Sequence, residues 1–93
     1  MKNVPAEEDA WWRHFQELLD DQIDFPDEYL FKFIVPAHSL DALKNIFGRH
    51  PVTVRASSKG RYLSVTAKME MHSSDEIVAL YQAAAKVDQV MML

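Results

Sequence analysis

Hydrophobic and polar residues alternate most strictly between Tyr62 and Met71. Leu63, Val65, Ala67, Met69 and Met71 take the odd positions; Tyr62, Ser64, Thr66, Lys68 and Glu70 take the even ones. Neighbouring strand side chains point to opposite faces, so this period of two predicts a strand buried on one face and polar on the other. Just before it, Ser57-Ser58-Lys59-Gly60 predicts a turn, with glycine at the positive-φ position that a short hairpin needs. Residues 52–56 alternate more briefly and predict the other arm of that hairpin. Residues 29–35 are apolar at nearly every position, as in a central strand covered on both faces. Lys32 sets the parity there: Phe31, Phe33 and Val35 face the core, while Leu30 and Ile34 share the side of Lys32. Residues 89–93 predict a last strand, apolar and without a proline or internal charge to blunt it.

Three stretches carry the helical period instead. Residues 7–21 begin with Glu7, Glu8 and Asp9, which suit a helix N-terminus, and place Trp11, Trp12, Phe15, Leu18 and Leu19 on one broad face. Phe25-Pro26 stops any continuation, because the residue before proline avoids the α region. Residues 40–47 follow Ser39 as N-cap, bury Leu40, Leu43, Ile46 and Phe47, and end at Gly48. The third helix starts at Ser73 or Ser74, with Ser73 and Glu76 at capping-box spacing. It runs to about Lys86 with Ile77, Leu80, Tyr81, Ala84 and Val87 inward.

After the first helix the order is β-α-β-β-α-β. Right-handed crossovers and one tight hairpin predict an α+β ferredoxin-like sandwich: a four-stranded antiparallel sheet, two helices on one face, and an extra N-terminal helix. Residues 1–24 read as a helical extension and residues 25–93 as the ferredoxin-like domain. The strands of Phe31 and Val65 are central; those of Val54 and Met91 are edges. The other sheet face is left open, with Leu30, Ile34, Tyr62, Ser64 and Thr66 on it. That face is more apolar than a bare one should be. The aromatic N-terminal helix is therefore expected to cover it, in its own chain or in a partner chain.

Composition narrows the function classes. Ninety-three residues with 48% hydrophobic and 26% charged positions make one ordinary domain. A chain of this size buries only roughly 60–65% of its unfolded surface, so self-association would add to a thin stability margin. The net charge of -4 gives no general attraction to nucleic acid or anionic lipid. With no cysteine there is no disulfide, thiolate nucleophile or thiolate metal site. The N-terminal stretch lacks the apolar core of a signal peptide, and no apolar run approaches the ~20 residues of a membrane span. A cytoplasmic location is expected.

Candidate chemistry is sparse. His14, His38, His50 and His72 lie in four separate segments without metal-ligand spacing. Asp20, Asp21, Asp24, Asp27 and Glu28 lack the glycine and spacing of a calcium loop. Ser58 beside Lys59 is not a nucleophile–base pair, because nothing orients the two. No catalytic residue, metal or cofactor is expected. The hairpin end, comprising Ser57, Ser58, Lys59, Gly60, Arg61 and Tyr62, is the candidate ligand site: a tight turn with hydroxyls, N–H groups and a cation can hold a phosphate or carboxylate. On spacing alone it reads first as an exposed polar turn. Lys59-Gly60 also fits the third strand of an RNA-recognition motif, but Arg61 and Leu63 stand where stacking aromatics belong. Lys32, Arg55, Lys59, Arg61 and Lys68 would supply its basic cluster. Trp11, Trp12, Phe15, Val90, Met91 and Met92 form the candidate interaction surface. Either a second copy pairs with the last strand, giving a homodimer, or the N-terminal segment guards it.

Phe25-Pro26, the strand over residues 29–35, the Ser57-Ser58-Lys59-Gly60-Arg61-Tyr62-Leu63-Ser64 run, Leu80-Tyr81 and the closing residues 87–93 together resemble the YbeD-like family of small bacterial proteins. The resemblance implies a ferredoxin-like fold similar to ACT domains, the small-molecule-sensing modules of metabolic enzymes. It implies no established activity. It points to a non-enzymatic regulatory or binding module with an unidentified effector or protein partner, single-stranded RNA binding across the sheet being the alternative. The double-Trp stretch falls outside it.

Overall fold

The computed structural model describes residues 6–57 and 59–92, with side chains described from Asp9 onward. Ser58 of the candidate site, the terminal Leu93 and the side chains of Glu7 and Glu8 lie outside the described residues. The elements run α1 (Ala6–Gln22), β1 (Asp27–Pro36), a turn of 3₁₀ helix (Ala37–Ser39), α2 (Leu40–Ile46), β2 (Thr53–Ala56), β3 (Tyr62–Met71), α3 (Ser74–Ala84) and β4 (Met91–Met92). The strands form one antiparallel sheet in the order β2-β3-β1-β4. This is the ferredoxin-like arrangement, with β1 and β3 central.

The alternation along β3 does what its period requires. Val65, Ala67 and Met71 are buried, whereas Tyr62, Lys68 and Glu70 are exposed. The register sets Phe33 against Val65, Phe31 against Ala67 and Val35 against Leu63, so the buried sides of both central strands coincide. Phe31, Phe33, Val35, Leu43, Val65 and Ile77 are all at 0% exposure. Aromatic rings fill much of this core: Phe31 lies 5.3 Å from Tyr81, and Phe33 lies 6.0 Å from Phe47, between ring centroids.

Local signals at the turns are also used. Gly60 has φ 71 and Gly48 φ 61, both in the left-handed region that favours glycine. Ser73 caps α3 by accepting the Glu76 N–H at 3.3 Å, and the Glu76 carboxylate reaches back to the His72 N–H at 2.9 Å.

Three expectations are corrected. The helix α1 does not lie on the open sheet face of its own chain. It packs against α3, where Phe15 meets Tyr81 at 5.5 Å between centroids, Gln16 bonds Ser74 and Asp75, and Leu19 joins the core at 6% exposure. The helix side offers aromatic and apolar partners; on the open face α1 would have had to cover Lys32, Lys68, Glu28 and Glu70. This docking also buries Val78 and Ser74, which the stripe predicted for α3 omits. Secondly, the Ser39 side chain makes no cap bond. Buried, it donates to the Asp88 carbonyl at 2.9 Å, tying the start of α2 to the loop before β4. Thirdly, the last strand is Met91–Met92, because Val87 to Val90 form a turn closed by Val90 N–H to Val87 O at 3.3 Å.

Candidate functional site

Residues directly opposite in an antiparallel pair share a face, so the register maps the open side of the sheet. One rung crosses all four strands: Arg55 on β2, Ser64 on β3, Ile34 on β1 and Met91 on β4. The next rung carries Thr53, Thr66 and Lys32, followed by Lys68 with Leu30 and Glu70 with Glu28. No helix of the described residues covers these positions. Leu30, Tyr62 and Met91 are exposed large apolar groups as a result.

The first rung continues into the hairpin as a cleft of about 310 Å³. Ile34 and Met91 give it apolar walls; Arg55, Ser57, Tyr62 and Ser64 also line it, with Ala56 and Leu63 at its edge. Among the described residues three bonds hold the turn: Ser57 N–H to Tyr62 O at 2.9 Å, Gly60 N–H to Ser57 O at 3.0 Å, and Tyr62 N–H to the Ser57 hydroxyl at 3.4 Å. Ser57 thus spends its hydroxyl oxygen on the hairpin itself. Of the candidate ligand residues, Ser57 and Tyr62 line the cleft. Lys59, Gly60 and Arg61 are exposed on the turn and do not line it. Arg55 is the one cation in the lining, and it was absent from the hairpin set. Strand parity could have found it, because the hairpin register places it beside Ser64.

The candidate interaction residues separate onto two sides. Met91 and Met92 alternate, so Met91 joins the open face while Met92, opposite Phe33, faces the helices. Trp11, Trp12, Phe15 and Met92 come together with Tyr29 and Tyr81 around a second cleft of about 260 Å³. Val90 is half-buried against the core. Among the described residues no three histidines, aspartates or glutamates gather as metal ligands. His38 instead pairs with Asp88 at 2.9 Å and His50 with the Lys68 carbonyl at 2.9 Å.

The floor of the second cleft holds a hydroxyl pair. The Tyr29 and Tyr81 oxygens lie 3.1 Å apart. Burial, and then the bond to Tyr29, pushes the Tyr81 phenol well above its ordinary 10.0. A raised value means that the folded state holds this proton more tightly than the unfolded state. The resulting stability is complete below pH 10 and is lost as pH climbs past it. The melting temperature should therefore fall as pH rises from about 10 to about 11.5, and the fall should be shallower in Tyr81→Phe. Parallel slopes in a differential scanning series would refute the assignment.

The sequence comparisons fit this frame. Residues 20–93 match the model of a protein family described as of unknown function (DUF493). The chain belongs to this family. DUF493 relatives include UPF0250 proteins of Shewanella sp. strain ANA-3, 36% identical over 78 residues (76% of this chain and 89% of the relative), and of Shewanella loihica, 36% identical over 83 residues (82% and 90%). A UPF0250 protein of Shewanella baltica strain OS155 is 32% identical over 78 residues, again 76% of this chain and 89% of the relative. No solved structure gives a significant match. The DUF493 match begins at residue 20, inside α1, so Trp11, Trp12 and Phe15 stand outside it. This agrees with the extent of the YbeD-like resemblance. Among the described residues no helix is long and apolar enough to cross a membrane.

Proposed function

We propose that this DUF493 protein is a small non-enzymatic regulatory or binding module, similar in use to ACT domains, whose ligand sits on the open sheet face at its hairpin end. The supporting observation is the four-strand rung that places Arg55 beside an apolar cleft walled by Ile34 and Met91, with Tyr62 at its mouth. A ligand with a flat or aliphatic body and one anionic group suits that combination. The apolar part would displace water from the exposed walls, and the anion would pair with the guanidinium. The ligand would regulate by favouring one arrangement of the module with a partner, or with a second copy, over another; only differential affinity for the two arrangements can do so.

Single-stranded RNA across the same face is the second reading. It gains from α1 lying elsewhere and from Lys32, Arg55 and Lys68 on the face. It loses on stacking: Tyr62 is the only aromatic on that side of the described strands, since Tyr29, Phe31 and Phe33 face the helices.

The test is capture of small molecules from cell extract by purified protein, followed by mass spectrometry of what it retains. The wild type should enrich an anionic compound that raises its melting temperature. The Arg55→Ala/Tyr62→Ala variant, still folded, should retain at least tenfold less. Equal retention by both proteins would refute the site. Salt-sensitive retention of RNA, lost in the same variant, would select the second reading.

A further inference from the structure

The strand β1 runs from Asp27 to Pro36, but β4 pairs only with Phe33 and Ile34. Among the described residues, nothing pairs with Asp27–Phe31 on the side away from β3. Such an edge presents unpaired N–H and C=O groups, a template for another strand. The second cleft lies along it, with Met92 marking one end and Tyr29, four residues further along β1 from Phe33, standing toward the other. Trp11, at 57% exposure, overhangs the cleft, and Leu30, at 53%, lies bare on the opposite face of the same edge.

We infer that this edge is a second binding site, independent of the hairpin cleft, which takes an extended segment of a protein partner by strand addition. The segment runs antiparallel to β1 in line with β4, opposite Phe31, Leu30, Tyr29 and Glu28. Four residues in that conformation span about 13 Å. Backbone bonds to β1 give affinity, and alternate side chains give specificity. Residues opposite Phe31 and Tyr29 turn toward the helices, so one bulky apolar side chain enters the cleft among Trp11, Trp12 and Phe15. The residue opposite Leu30 turns to the open face, where the β-branched threonine suits a strand. Past it the segment meets Asp27 and Glu28, with Asp24 just before them in the chain. All three are exposed, and among the described residues only Glu28 pairs with a cation, Lys68 at 3.8 Å. The fitting partner is therefore apolar at alternate positions and basic at its C-terminal end.

The test uses fluorescein-labelled eight-residue peptides that alternate threonine with phenylalanine or tryptophan and end in Lys-Lys. Anisotropy should show saturable binding, weakened at least tenfold when alternate backbone nitrogens are methylated and at least tenfold when the end is Glu-Glu. Trp11→Ala should weaken binding without lowering the melting temperature by more than a few degrees. Amide shifts on binding should centre on residues 27–32 and leave residues 55–64 unmoved. Absence of saturable binding, indifference to N-methylation, or shifts confined to the hairpin would overturn the inference. So would self-association of the free protein through residues 27–32, which would assign the edge to a second copy.

Discussion

Phe33→Ala is expected to lower the unfolding free energy by about 3–5 kcal/mol, measured by chemical denaturation followed by circular dichroism. The ring is at 0% exposure and meets Phe31, Phe47 and Tyr81 within 6.4 Å between centroids. Removing it opens a cavity where the central strand β1 touches α3 and the end of α2. Rigid strands on either side leave little room for collapse. A domain of this size holds only about 5–15 kcal/mol in total, so the variant should be partly unfolded at growth temperature. A loss below about 1 kcal/mol would mean that the helix layer does not close over β1.

The second large effect comes from a matched pair on adjacent residues. Val65→Asp should abolish folding, or leave the protein insoluble. Val65 is at 0% exposure, opposite Phe33 on one side and Val54 on the other, so both cross-strand neighbours are apolar. An unpaired carboxylate there costs several kcal/mol in desolvation. Thr66→Asp should cost under about 1 kcal/mol, because Thr66 faces the open side directly opposite Lys32. Soluble expression and denaturation midpoints of the two variants read this directly. Equal tolerance would mean that the two faces of β3 are assigned the wrong way round.

Strand parity made most of this legible before the structure. One lysine in an otherwise apolar run was enough to orient β1, and Gly60 with its flanking alternation fixed the hairpin. From those two facts the central pair, the edges and the contents of the open face followed, because a one-residue shift would have turned every side chain over. The placement of α1 was not legible in the same way. Its periodicity says that Trp12, Phe15 and Leu19 need cover, but not whether a sheet or a helix supplies it. Val78 and Tyr81 supply it, and their availability depends on how α3 is itself seated. Ser39 shows the same limit on a smaller scale. A serine before a helix signals a cap, yet a carbonyl from residue 88 competed for its hydroxyl and won.

The candidate site was half legible. Ser57 and Tyr62 were found because a turn draws attention to its own residues. Arg55 lies two residues before Ser57, and the sequence marks it only as one of five cations that could form a basic cluster. Its meaning appears only when four strands are in register and Ile34 and Met91 stand beside it. Lys59 and Arg61, which looked more like ligand residues, point out from the turn because the backbone bonds of Ser57, Gly60 and Tyr62 leave them at its tip.

The central claim is that the uncovered face at the hairpin end is where this protein meets its ligand. Hydroxyl-radical footprinting of Tyr62, Met91 and Phe33, in purified protein and in living cells, tests it most directly. The account predicts ready labelling of Tyr62 and Met91 in the purified protein, several-fold slower labelling of both in cells, and protection of Phe33 in each. Equal labelling of Tyr62 and Met91 in the two settings would contradict it.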